Sequence, residues 1–293
     1  MSDSRKTVPA ATDRRPRRAA YALPTLFTAA NIFLGFYALL ETFKGALLAG
    51  TGNLGVNQHF IAAAIAIGAA VWFDGLDGRI ARMTNTVSDF GREMDSLADV
   101  ITFGIAPAVL AFAWGIQFME PPLEGAANEH VRRAGYFVAF LYLLCGAARL
   151  ARFNVTTNPV PKNPGRPDRK YFVGMPIPAA AGMIAAVVYA AEGMPIRSWI
   201  VSAVWLGLIA LLSFLMISTW RYASFKDINL LRPRSPLTIV FLGSLIYLIW
   251  HYSQPVLLGM ATAYTLSGIL VRIGGLLRRR ARPEHAQPEH QLG

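Results

Sequence analysis

The sequence predicts an all-α polytopic membrane protein of about eight transmembrane helices, and three observations carry that prediction. The 293 residues are 54% hydrophobic and only 15% charged, whereas soluble chains carry about 25% charged residues. Eight mostly apolar stretches approach the roughly 20 residues that a helix rising 1.5 Å per residue needs to cross the hydrocarbon of a bilayer. The cations gather beside the ends of those stretches instead of spreading over the chain.

The stretches begin near Leu23, Phe60, Leu97, Ala134, Met175, Trp199, Leu237 and Val256. The first carries Asn31 in its middle, a polar group that faces either a cavity or a neighbouring helix. The second closes on acids and the third opens on them. The fourth has an indistinct end, because Arg149 and Arg152 follow the apolar run LYLLCGAA. Pro255 divides the last two into a tight hairpin, since proline ends one helix and suits the first turn of the next.

Charge placement supplies an orientation. With the N-terminus inside, the cytoplasmic face holds all of the 28 Lys and Arg residues except Lys44, Arg132, Arg133 and Arg197, as the positive-inside rule demands. Both termini are therefore expected in the cytoplasm. Residues 1–22 lack an apolar core and cleavage site, and read as a basic cytoplasmic tail instead of a removable signal peptide. Residues 23–275 are expected to form the transmembrane domain, and 276–293 a basic, then polar tail. The arginines at both ends suit anionic lipid or simply anchor the spans. Lys162, Arg166, Arg169 and Lys170 lie in a proline-rich loop that either covers a site or is solvated. The net charge of +11 thus lies beside a membrane, so nucleic acid is not the expected partner. Cys145 is the only cysteine, which excludes an internal disulfide and a thiolate metal site.

The stretch WFDGLDGRIARMTNTVSDFGREMDSLADVITFGI, from Trp72 to Ile105, is the informative one. An acid at mid-membrane costs about 2.5 to 3.5 kcal/mol by insertion scales, so acids at span edges need a reason. Asp74 and Asp77 lie three apart, and Asp95 and Asp99 four apart, spacings that put each pair on one helix face. Two such pairs can converge. Like charges about 4 Å apart repel by roughly 4 kcal/mol at an effective dielectric of 20, so something positive must offset them. Divalent cations suit an oxygen-only ligand set, and two ions about 3.5 to 4 Å apart suit phosphoryl chemistry. Arg79, Arg82 and Arg92 offer an ionic alternative, although they give no reason for Gly75, Gly78 and Ala81 beside the acids. Small residues there suit the close approach of a phosphate or nucleotide, or helix packing.

These residues resemble a known family. Asp74-Gly75-Leu76-Asp77-Gly78-Arg79-Ile80-Ala81-Arg82, followed by Gly91, Asp95 and Asp99, looks like the complete signature of the CDP-alcohol phosphotransferases. The resemblance implies a six-helix core, here with a C-terminal two-helix hairpin, and a site for two Mg2+ or Mn2+ ions. It implies that Asp74, Asp77, Asp95 and Asp99 hold metal, that Asp99 is also the base, and that Gly78, Ala81 and Arg82 border the CDP-linked donor. Asn31 is added to the donor site as a cavity-facing candidate. Wider segments, including LPTLFTAANIFLGF, AARLARFN, FVGMPIPAAAG and SFKDINL, are similar to the branch of bacterial membrane-embedded phosphatidylserine synthases. That branch implies the bacterial inner membrane as location, CDP-diacylglycerol and L-serine as substrates, a homodimer and membrane lipid as partners, and CMP as product. Phosphatidylcholine synthases and other members share the signature, so the acceptor is the softer expectation.

The acceptor's carboxylate calls for a cation. Arg149 and Arg152 are candidates, because guanidinium pairs with carboxylate through two hydrogen bonds. They serve equally to hold the donor phosphate or to mark the membrane boundary. A reading from another class is a cation transporter, which predicts polar groups continuing across the membrane. Here the acids cluster at one face, and Ile, Ala, Leu and Val dominate the far halves of the spans.

Overall fold

The computed structural model describes residues 16–84, 89–120, 127–157, 171–223 and 236–280, with side chains at several segment ends left outside that description. The loop cations Lys162, Arg166, Arg169 and Lys170 and most of both expected tails lie outside the described residues.

A helix occupies each of the eight expected stretches. The first two are α1 (Pro16–Gly50) and α2 (Gln58–Thr84). The third is composite: α3 (Asp89–Asp99) runs through a π-helical turn (Val100–Ile105) into α4 (Ala106–Gly115). Then come α5 (Ala127–Thr157), α6 (Ile177–Ala190), α7 (Trp199–Ile217), α8 (Pro236–His251) and α9 (Ser253–Arg280).

Two features refine the expected architecture. Among the described residues, six of these helices are long and apolar enough by themselves to cross a membrane: Leu26–Gly50, Gln58–Leu76, Phe90–Gly115, Glu129–Val155, Trp199–Ile217 and Ser253–Gly274. The 14-residue α6 and the 16-residue α8 are shorter than the roughly 20 residues required. Pro176 is the cause in α6: it stands at the N-cap with an extended ψ of 139°, so the helix starts only after it. The helices are joined by one short ribbon, in which β1 (Tyr171–Val173) pairs antiparallel with β2 (Arg221–Ala223).

Gly174 ends β1 with φ +79°, and a Cβ there would lie 2.5 Å from the Met216 carbonyl, so only glycine fits this turn. Its N–H donates to the Trp220 carbonyl at 2.8 Å, and Met175 N–H donates to Leu215 O at 3.0 Å. The start of α6 is thereby sewn to the end of α7. The last hairpin breaks at Tyr252, three residues before Pro255, which sits in the first turn of α9 where a missing N–H is tolerated.

Packing between helices relies on small residues, as it does where lipid offers no hydrophobic drive. α1 lies along α2, α2 along α6, α5 along α7 and α6 along α9. At the end of α1 and α2 remote from the acids, Asn57 caps α2 by accepting from His59 N–H at 3.1 Å and Phe60 N–H at 3.4 Å. Its own amide donates to Gly45 O at 3.0 Å, fixing the α1–α2 turn. Beside it, buried Glu41 accepts from Lys44 at 2.8 Å and bonds His59 at 2.7 Å. On the other side of the bundle Trp205 of α7 packs edge-on to Trp114 at 5.0 Å and donates to Ala111 O at 3.0 Å. The α3–α4 helix is the most enclosed of the six candidate spans, which makes it the frame on which the acids are mounted.

Candidate metal centre

α2 brings Asp74 and α3 brings Asp95 and Asp99 to one place. One carboxylate oxygen from each lies within 4.8 Å of the others. Asp74 and Asp95 are half-buried, and Asp99 is buried at 8% exposure. The expected face-sharing of Asp95 and Asp99 and its convergence with Asp74 are therefore realised. Asp77, Gly78, Ala81 and Arg82 continue α2 toward Thr84, but their side chains lie outside the described residues.

The donor set fits a hard divalent cation, because three carboxylate oxygens converge without any thiol or imidazole among them. Space is available next to them. A Cβ built on Gly75 would meet nothing within 4 Å, so the backbone beside Asp74 is open instead of packed against another helix.

Arg149 is the cation that α5 brings inward. It is 8% exposed, and its electrostatic neighbours are Asp99, Tyr264, Arg152 and Asp74. Its Nε has no hydrogen-bond partner among the described residues, so the guanidinium retains donor capacity beside the acids. Arg152 is placed differently. It is exposed, and its Nη1 donates to Ile217 O at 3.2 Å, at the C-terminus of α7, where a cation suits the helix dipole and the unpaired carbonyls. The two arginines that sequence alone treats alike are thus separated.

Asn31 is 2% exposed on α1. Its backbone carbonyl accepts from the Thr102 hydroxyl at 3.0 Å, and its side-chain Oδ1 has no hydrogen-bond partner among the described residues. Further support comes from α5, where Asn154 donates to Ser96 Oγ at 2.8 Å, and Ser96 donates in turn to Arg92 O at 2.9 Å. That chain braces α3 one residue beyond Asp95.

Tyr264 of α9 was not foreseen as a site residue. It stands among the electrostatic neighbours of Arg149, and its ring lies 5.6 Å from that of Tyr222. Tyr222, on β2, is fully buried and reaches the Thr265 carbonyl at 3.5 Å. Burial pushes its phenol up to about 12, so it is neutral at physiological pH. A Cβ on Gly268 would lie 2.2 Å from the Tyr222 ring. The ribbon therefore seats α9 against the core by placing this ring over a glycine.

Comparison with known proteins places the chain in a family. The family model described as CDP-alcohol phosphatidyltransferase matches residues 21–216. The chain is 34% identical over 255 residues to the CDP-diacylglycerol–serine O-phosphatidyltransferase of Helicobacter pylori strain J99, covering 87% of this chain and 92% of that protein. It is 31% identical over 208 residues to the Bacillus subtilis protein of the same name, covering 70% of this chain and 91% of that one. A Saccharomyces cerevisiae protein, also of that name, is 39% identical over 162 residues, 55% of this chain and 51% of its own. The family match ends before β2, α8 and α9, so Tyr264 lies beyond it.

Proposed function

The chain belongs to the CDP-alcohol phosphatidyltransferase family, and from that premise we propose that it transfers the phosphatidyl group of CDP-diacylglycerol to the hydroxyl of L-serine, releasing CMP. The convergence of Asp74, Asp95 and Asp99 with Arg149 carries this reading. Relatives named for serine transfer that match nearly the whole chain support the acceptor.

The chemistry divides among the residues as follows. Asp74, Asp77, Asp95 and Asp99 hold Mg2+ or Mn2+, two ions in all. Bound there, the ions offset the pyrophosphate charge that otherwise repels a nucleophile and stabilise the leaving phosphate. Asn31, Gly78, Ala81 and Arg82 border the CDP group, and the open backbone at Gly75 leaves it room. Arg149 pairs with the serine carboxylate through a guanidinium fork that includes its unpaired Nε, which brings the serine hydroxyl beside Asp99. Asp99 takes the hydroxyl proton as serine oxygen forms its bond to the lipid-linked phosphorus, and the bond from that phosphorus to the CMP oxygen breaks. Attack is direct: Cys145 is buried in the apolar core, and His59 stands at the opposite end of α2 from Asp74.

The six long spans, with α6 and α8 completing eight crossings, form the six-helix core and C-terminal hairpin. Both termini and the acid site face the cytoplasm, where CDP-linked donor and serine are available, and the protein works as a homodimer. The decisive experiment supplies purified protein with CDP-diacylglycerol, either metal, and serine, choline, glycerol 3-phosphate or inositol phosphate in turn. CMP release that depends on serine and on metal supports the reading. Preferred transfer to choline replaces it with phosphatidylcholine synthesis, and detection of a phosphatidyl-enzyme overturns direct attack.

A further inference from the structure

The π turn begins at the residue after Asp99, and its origin is legible in covalent terms. In an α-helix the Phe103 carbonyl would receive the N–H of residue 107, but that residue is Pro107 and has none. The helix widens instead, and Ala106 N–H donates five residues back to Ile101 O. The carbonyl thus released is taken from another helix: the Tyr142 hydroxyl of α5 donates to Phe103 O at 3.1 Å. Tyr142 is 0% exposed, so neither hydroxyl nor carbonyl has water as a substitute, and a buried polar group left unpaired costs about 1 to 3 kcal/mol.

The opposite side of the turn is held by α1. Thr102 donates to Asn31 O at 3.0 Å. A Cβ on Gly35 would lie 2.5 Å from Thr102 Oγ1 and 2.8 Å from its Cα, so the turn presses against bare backbone.

This matters for the acids because of helix geometry. One residue of α-helix corresponds to about 100° of rotation and 1.5 Å of rise. A π turn inserts about one residue between the acid face of α3 and the packed face of α4, a feature that recurs at functional sites. α4 is locked in place by Trp205 on Ala111 and on Gly115, where a Cβ would lie 2.2 Å from the Trp205 ring. Straightening the turn would therefore be taken up on the α3 side, swinging Asp95 and Asp99 away from Asp74.

We infer that Tyr142 is a positioning residue for the metal centre: by capping the carbonyl that Pro107 leaves open, it maintains the π turn that aims Asp95 and Asp99 at Asp74. The inference rests on the reading of those acids as metal ligands. Tyr142 itself touches neither substrate nor ion. Partners that orient metal ligands are worth about 10- to 100-fold in metal affinity.

The test is Mn2+ titration of the full chain in lipid nanodiscs, followed by electron paramagnetic resonance, with thermal denaturation alongside. Tyr142→Phe keeps the ring and removes only the donor. Its Mn2+ affinity is expected to fall by about 10- to 100-fold, with the serine KM at saturating Mn2+ near native. Pro107→Ala restores a backbone donor to Phe103 and is expected to weaken Mn2+ binding on its own. Adding Tyr142→Phe to it should then cost little more, since both act on one carbonyl. Native Mn2+ affinity in Tyr142→Phe overturns the positioning role even if the melting temperature drops, because it reduces the contact to packing. If Tyr142→Phe does not fold, Pro107→Ala decides: weakened binding supports the role and native affinity overturns it. A native protein that binds no Mn2+ removes the metal reading and the positioning role together, whereas native binding with an unaffected variant removes the positioning role alone.

Discussion

Arg149 on α5 and Asp99 on α3 are electrostatic neighbours withdrawn from water to the same degree, each 8% exposed. A buried guanidinium is expensive to desolvate unless carboxylates and hydrogen bonds offset it. Asp99 and Asp74 supply the charge, while Nε keeps a donor unspent among the described residues. In the proposed reaction the serine carboxylate completes this arrangement, since a carboxylate accepts two parallel N–H bonds from one guanidinium.

Arg149→Lys keeps the charge and removes that fork. It should raise the serine KM by about tenfold or more, the order of one charge-assisted hydrogen bond, with a small change in the CDP-diacylglycerol KM. Arg152→Lys should have the smaller effect on both constants, because Arg152 is exposed and its Nη1 donates to the Ile217 carbonyl. Steady-state kinetics with each substrate varied in turn checks the pair. Equal losses for both substrates at Arg149 would point to the donor phosphate instead.

Asp99→Asn preserves shape and removes the proton acceptor. Turnover should fall by about 10² to 10⁴-fold, the range of general-base catalysis, with further loss to the extent that metal is bound less tightly. Donor binding, measured by isothermal titration with CDP-diacylglycerol in nanodiscs, should persist in weakened form. Turnover close to native would take the base role away from Asp99.

Much of this site is legible in the sequence because its logic is local. Asp95 and Asp99 share a face by helix periodicity alone, and acids closing one apolar stretch and opening the next are bound to meet if the helices are neighbours. What periodicity cannot show is which distant residue completes a local defect. Pro107 in an apolar span announces that the Phe103 carbonyl needs a donor, yet nothing nearby in sequence names Tyr142. The distinction between Arg149 and Arg152 fails for the same reason, since Ile217 is 65 residues from Arg152. The ribbon was illegible because three-residue strands have too short a pattern to register, and Pro176 trimmed an apolar stretch that composition alone reads as a full span.

Gly35→Ala tests the seat of the π turn on α1. The added methyl would lie 2.8 Å from the Thr102 Cα, a backbone atom that cannot rotate away. Helix and turn must separate, at about 1 to 3 kcal/mol for overpacking. A lowered melting temperature is expected together with lost turnover, since the displaced segment begins next to Asp99. Gly75→Ala is the control: its methyl meets nothing within 4 Å, so stability should hold. Any fall in its activity then reports crowding of bound donor instead of damage to the fold.

Tyr264→Phe asks whether the hairpin contributes to acceptor choice. The family match ends at residue 216, yet α9 brings the Tyr264 phenol among the electrostatic neighbours of Arg149. Its ring is held by Tyr222, which is itself seated over Gly268. Losing the hydroxyl should leave the ring contact with Tyr222 in place. The serine KM should rise several-fold, as for one hydrogen bond worth about 1 kcal/mol, while the CDP-diacylglycerol KM stays unchanged. Gly268→Ala should give a different pattern, because displacing Tyr222 loosens the whole of α9, lowers stability and raises both substrate KM values. If Tyr264→Phe instead reproduces the Gly268→Ala pattern, α9 is a packing element. A change confined to serine marks it as the wall that recognises the acceptor.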